Sequence, residues 1–172
     1  PIRADDADPL RAAFDLLQPD EIRQRFLHTL TEMTPELARR LTQPNPRSEF
    51  ALVAAEPLPP GEALIGAVAR AAIQPDGQHA EFAILVSRYI AGMGLGRHLL
   101  RRIVRWAKGR RLQTLYGDVL ESNQPMLALV ESLGFRRETA GTPGLTRVVL
   151  ELAPALVQPA STTPTPVAAP LG

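Results

Sequence analysis

The chain has 172 residues, 45% of them apolar and 22% charged, with a formal net charge of +1. This is the length of one domain, with enough apolar material for a core and too balanced a charge for an acidic disordered chain. The absence of cysteine excludes disulfides, thiolate metal sites and a cysteine nucleophile. Three scattered histidines, His28, His79 and His98, make no metal site, so no metal is expected. No run approaches the roughly 20 apolar residues of a membrane helix, and no signal-peptide pattern is read. A soluble, cytoplasmic domain is expected, and the opening Pro1 in place of Met suggests a cut or processed piece.

The apolar residues Leu10, Ala13, Phe14 and Leu17 recur at helical spacing between Asp5 and Leu17. A second helix is predicted from near Asp20, with Ile22, Phe26, Leu27 and Leu30 on one face. Thr34-Pro35-Glu36 opens a third, by N-cap and first-turn proline logic, and Gln43-Pro44-Asn45-Pro46 ends it. Strands follow at Glu49–Glu56, at Ala63–Ile73 and at Ala80–Ser87. The turns between them are Pro57–Gly61 and Pro75-Asp76-Gly77. Gly96–Lys108 is an amphipathic helix with Leu99, Leu100, Ile103, Val104 and Ala107 inward. Leu112–Leu120 reads as a strand, Gln124–Leu133 as a helix and Thr146–Leu152 as a last strand. Hairpins followed by alternating strands and helices predict a mixed sheet covered by helices. Residues 153–172, with Pro154, Pro159, Pro164, Pro166 and Pro170 and no charge, read as a disordered tail.

The segment between the third strand and its helix carries glycines at 92, 94 and 96. They allow close backbone approach and feed a helix N-terminus, where free N–H groups and the dipole favour a phosphate. Arg97 adds a charged donor. Plain turn chemistry would also use these glycines. Their spacing is not that of a dinucleotide-binding strand–helix turn, and Gly96-Arg97-His98 is not a P-loop ending.

The segment Ala91-Gly92-Met93-Gly94-Leu95-Gly96 resembles the pyrophosphate-binding signature of the GCN5-related N-acetyltransferases, Q/R-x-x-G-x-G/A, with Ala91 at its first position. Asn123 to Phe135 is similar to the second signature of that superfamily, N-x-x-A-x-x-L-Y-x-x-x-G-F, with Met126, Leu129 and Val130 at its A, L and Y positions. Pro1-Ile2-Arg3, Leu17–Phe26 and Thr34–Gln43 resemble bacterial protein lysine acetyltransferases of the Pat type, and the likeness covers about residues 1–152. It implies an α/β (α+β) GNAT fold: a mixed, mostly antiparallel sheet, splayed fourth and fifth strands, and helices on both faces. It also implies acetyl-CoA as acyl donor, held by the backbone of Leu85 and Val86, by Ala91 to Arg97, and by Asn123 and Met126. A protein lysine is the implied acceptor, such as one on an acyl-CoA synthetase, and a fused regulatory domain outside this chain is a further implied partner.

Acetylating an amine requires its proton to leave. A lysine pKa near 10.4 against a carboxylate near 4.3 opposes direct transfer by roughly 8 kcal/mol, so a base must be desolvated or act through water. Glu81, on the strand entering the glycine loop, stands where the family places its base. Read alone, it is equally a strand-end carboxylate, solvated or paired with an arginine. Asp118 and Glu121 are reserve candidates, and Tyr116 reads as a strand aromatic. The family's acid tyrosine is replaced by Val130, so coenzyme A is expected to leave as a thiolate unaided. Arg97, Arg101, Arg105 and Lys108 make a basic helix stripe without aromatic interleaving, which implies no nucleic acid. Two other readings stand beside protein acetylation: a small-amine acetyltransferase closed by Pro44–Ser48, and an acetyl-CoA-sensing domain without catalysis.

Overall fold

The computed structural model describes residues 1–15, 33–56, 64–87, 92 and 94–153. The predicted helix from Asp20, the turn Pro57–Gly61 and the tail from residue 154 lie outside them. A 3-10 turn at Ala4–Asp6 leads into helix α1 (Ala7–Asp15), with the Asp6 carboxylate accepting from the Arg3 N–H at 2.7 Å. Helix α2 (Pro35–Thr42) starts as its sequence demands: Thr34 Oγ1 accepts from the Leu37 N–H at 3.2 Å, and Pro35 occupies the first turn.

Six strands form one sheet in the order β1-β2-β3-β4-β6-β5. They are β1 (Glu49–Ala55), β2 (Ile65–Ile73), β3 (His79–Val86), β4 (Thr114–Leu120), β5 (Arg136–Thr139) and β6 (Leu145–Glu151). Helix α3 (Leu95–Gly109) joins β3 to β4, and α4 (Gln124–Ser132) joins β4 to β5. Every strand pair is antiparallel except β3–β4. Strand β5 is absent from the sequence reading because Arg136-Arg137-Glu138-Thr139 has no apolar alternation and all four residues are exposed. It is held as the hairpin partner of β6.

Register separates the two faces. One carries Leu52, Ala67, Ala69, Ala71, Phe82, Ile84, Leu115, Val119 and Val148, which pack with Leu99, Leu100 and Ile103 of α3 and Leu127 and Val130 of α4. Each large apolar side chain buried there is worth about 1.5–3 kcal/mol, so this face is the main source of stability. Trp106 extends it, stacked on Phe50 with centroids 5.6 Å apart. The other face is covered over β1 and β2 by α1 and α2. There Arg70 reaches the Leu41 carbonyl at 2.8 Å and Glu49 at 2.9 Å. Helices therefore lie on both faces, as the resemblance implies. The splayed pair is third and fourth among the described strands; the N-terminal segment touches the sheet edge by the Ile2 N–H to Ala51 carbonyl bond at 3.0 Å.

Candidate active site

Strands β3 and β4 part early. Their parallel register runs only through His79↔Thr114, Ala80↔Leu115 and Glu81↔Tyr116, although β3 continues to Val86 and β4 to Leu120. Each stays with its outer partner, so the sheet is two well-made halves joined by a short seam, open beyond Glu81 like a fork. Gly117 sits at the crotch: a Cβ there would lie 2.8 Å from Phe82 Cε1 and 3.0 Å from the Phe82 carbonyl oxygen. The Phe82 ring occupies that notch and meets Phe135 edge-on at 5.4 Å.

Backbone polarity in the fork follows from alternation along β3. The His79 carbonyl and Ser87 N–H bond to β2 and its flanking residues at 2.8 Å each, so the odd-numbered residues face β2 and the even-numbered ones face the fork. Val86 thus turns its peptide groups into the opening, whereas those of Leu85 are spent on β2. Ile84, which the sequence reading passed over, turns its peptide groups the same way as Val86.

The glycine loop runs from the end of β3 to α3. Gly92 and Gly94 have φ of +84° and +76°, a region open to glycine at little cost, and none of the described residues lies within 4 Å of where either Cβ would be. Gly94 caps α3 without a side-chain bond, and no side chain among the described residues accepts from the first-turn N–H groups. Gly96 has a different task. A Cβ there would meet Leu129 of α4 at 3.2 Å and Val86 at 3.4 Å, so its smallness lets α3, α4 and β3 converge. Arg97 Nη2 donates to Ser132 Oγ at 2.8 Å, tying α3 to α4, and no carboxylate among the described residues pairs with its charge. Leu95 starts the helix half-buried; Ala91 and Met93 lie outside the described residues.

Asn123 opens α4 across the fork, its Oδ1 accepting from the Met126 N–H at 3.4 Å, and Met126 packs half-buried on the core. Val130, at the family's acid position, is fully buried among apolar side chains.

Glu81 projects from the opposite face, exposed, beside Tyr116. Burial, then the Glu81 charge, raises the Tyr116 pKa above its ordinary value. The reserve base Asp118 is committed elsewhere: its two oxygens accept from Arg147 at 3.0 and 3.1 Å. Glu121 sits exposed in the turn after β4. His98 is exposed at the start of α3; His79 bonds Thr114 through Nδ1, with Nε2 3.4 Å from Asp76.

The profile of the Acetyltransferase (GNAT) family matches residues 11–135. The chain belongs to the GNAT family. Among solved structures, this GNAT chain is similar to the GNAT domain of S. lividans PAT at 22% identity, covering 88% of each chain with a TM-score of 0.78. An acetyltransferase from Thermus thermophilus matches at 26% identity, over 88% of this chain and 94% of that one, with a TM-score of 0.64. A GCN5-related N-acetyltransferase from Kribbella flavida matches at 22% identity, over 86% and 92%, with a TM-score of 0.65. The GNAT fold uses acetyl-CoA, and the residues present fit it: a fork into which Val86 turns its peptide groups, for an amide-bearing arm, and a glycine-rich helix start for phosphate. Among the described residues no helix is long and apolar enough to cross a membrane, and no group of three acidic or histidine residues is disposed to hold a metal.

Proposed function

We propose that this chain acetylates lysine side chains of proteins by direct transfer from acetyl-CoA in a ternary complex. The observation that carries the reading is the fork itself, which has the glycine cradle on its helical side and Glu81 on its open side. Peptide groups of Ile84 and Val86 hold the pantetheine arm, Ala91 to Arg97 hold the pyrophosphate, and Asn123 and Met126 flank the cofactor. Acetyl-CoA supplies the acetyl group as a thioester. Glu81 receives the amine proton. Its exposure favours the route through a water over direct contact in a desolvated pocket, since water bridges the basicity gap in steps. Coenzyme A leaves as a thiolate without a side-chain acid, in keeping with the burial of Val130. Holding both reactants together supplies much of the rate.

A protein acceptor is supported by the Pro44–Ser48 segment. Asn45 ties it into a turn, its N–H donating to Glu49 at 2.7 Å and its carbonyl accepting from the Ser48 and Glu49 N–H groups. Arg110, at the end of α3, donates to the Pro46 and Arg47 carbonyls. No hydrogen bond links this segment to Glu81 among the described residues, and its anchoring at the sheet edge favours access by a polypeptide over a closed small-amine pocket. An acyl-CoA synthetase is a fitting substrate.

The test is calorimetry with acetyl-CoA, followed by thiol release with acyl-CoA synthetases and with small amines, in wild type and Glu81→Gln. Expected are binding, turnover on protein lysines, and a kcat loss of about 10²–10⁴ in the variant at unchanged acetyl-CoA affinity. Turnover on small amines alone would replace the acceptor, and binding without any turnover would mark a sensor.

A further inference from the structure

The open side of the fork holds more than its base. Tyr116 is the register partner of Glu81, and one step along the same face the pair Asp118↔Arg147 spans β4 and β6. The Arg147 guanidinium lies 4.8 Å from the centroid of the Tyr116 ring and gives Nε and Nη2 to the two oxygens of Asp118. A two-point ion pair has one geometry, so the cation over the ring is held still and holds the ring in turn. On the far side of Tyr116, its β6 partner Val149 is buried. An aromatic wall thus stands next to Glu81 where the strands separate.

Charge is apportioned to match. Arg147 neutralises Asp118, whereas Glu81 has no ion-pair partner among the described residues. A cation entering this face is drawn to Glu81. Ala72, the β2 partner of Glu81, carries only a methyl, so Tyr116 is the larger neighbour along which a side chain can lie.

We propose that Tyr116 is the acceptor-specificity contact of this enzyme and Arg147, anchored by Asp118, its positioning residue: the unbranched aliphatic stem of a primary amine lies along the Tyr116 ring and delivers its nitrogen to Glu81. This rests on the reading of the chain as an amine acetyltransferase with Glu81 as base. A long stem is selected because each methylene laid on the ring leaves water, worth about fourfold in affinity when fully buried. A stem too short to span the wall leaves its nitrogen away from the carboxylate.

The probe is coenzyme A joined through an acetyl bridge to the Nε of a lysine in a peptide, measured by calorimetry against acetyl-CoA. Wild type is expected to bind the conjugate more tightly. Tyr116→Ala and Arg147→Met should each lose about tenfold of that excess, the scale of a lost cation–π and ring contact, while keeping acetyl-CoA affinity. Tyr116→Phe should retain it. In turnover the same two variants should raise the KM for the amine and leave that for acetyl-CoA unchanged. A conjugate whose stem has two methylenes should lose the excess in wild type and be indifferent to Tyr116→Ala. Arg147→Met carries the test if Tyr116→Ala does not fold. An excess that survives both substitutions, or tighter binding in Arg147→Met, overturns the proposal. Wild type that binds acetyl-CoA yet gains nothing from the lysine arm removes this proposal alone; wild type that binds neither removes the acetyltransferase reading and this proposal with it.

Discussion

Strand β3 pairs with β2 over seven positions and with β4 over three, and the two seams differ in more than length. Along β2 the antiparallel register runs unbroken, and the buried alanines Ala67, Ala69 and Ala71 let α3 lie close, so this half is a well-packed support. Along β4 the partners run out after Glu81, and the chain's remaining peptide groups point into a gap. A sheet half that satisfies itself can hold the other half open at its edge, which is how a binding slot is made without weakening the core. The carboxylates of the open face repeat the contrast. Glu49, Ala72, Glu81 and Tyr116 form one row across four strands, yet Glu49 is tied to Arg70 and the Asn45 N–H while Glu81 carries no such bond among the described residues.

The sharpest way to break the comparison is at the crotch. Gly117→Ala should destabilise by about 2–3 kcal/mol in denaturant melts, because the new methyl meets both the ring and the carbonyl of Phe82. Adding Phe82→Leu should restore only part, since it relieves the ring and leaves the carbonyl 3.0 Å away. Full restoration would mean that the ring alone sets where the strands part.

Glu49→Gln tests whether the two carboxylates divide structure and chemistry. Burial pushes the Glu49 pKa up, but the Asn45 N–H and Arg70 together outweigh it and leave it lowered. A lowered folded value means stability that is present above the ordinary carboxylate range and lost as the pH falls through that lowered value. The variant should lose about 1.5–2 kcal/mol at neutral pH, with the difference from wild type shrinking under acid. Acetyl transfer by the folded variant should match wild type; a kcat loss would make Glu49 part of the chemistry.

Gly94→Ala probes the cradle. With φ at +76° the new side chain costs about 1 kcal/mol of stability, and its methyl should weaken acetyl-CoA by about tenfold. Gly96→Ala, which crowds Leu129 and Val86, would by contrast alter helix packing before it altered the ligand.

The smallest effect is spectroscopic. In Tyr89→Phe the remaining tyrosine, Tyr116, should ionise above the ordinary value of 10.0, through burial first and the Glu81 charge second. Glu81→Gln should bring that titration down. An unchanged tyrosinate curve would separate Glu81 from Tyr116 and break the arrangement on the open face.

Much of this is legible in one dimension. Thr34 announces its helix because capping is local chemistry, and α3 is plain from Leu99, Leu100, Ile103 and Ala107 at helical spacing. The glycine loop is legible for the same reason, since positive φ and a bare helix start are properties of adjacent residues. Strand β5 is not, because four exposed polar residues become a strand only when β6 folds back beside them. That Leu85 turns its peptide groups to β2 while Ile84 and Val86 face the fork is not legible either, because the direction of a peptide group along a strand depends on register with β2. Asp118 reads as a second base until its partner, 29 residues away, closes on it.

By itself the sequence determined the order of the elements other than β5 and the family signatures, and it set Glu81 ahead of Asp118 and Glu121 only through the family resemblance, because short-range backbone preferences and side-chain chemistry are written residue by residue. Only the tertiary structure decided that β3 and β4 part after Glu81, that Arg147 occupies Asp118, and that Tyr116 stands beside Glu81. Those facts depend on which strands become neighbours and in what register, a choice made by burying one face of the whole sheet at once.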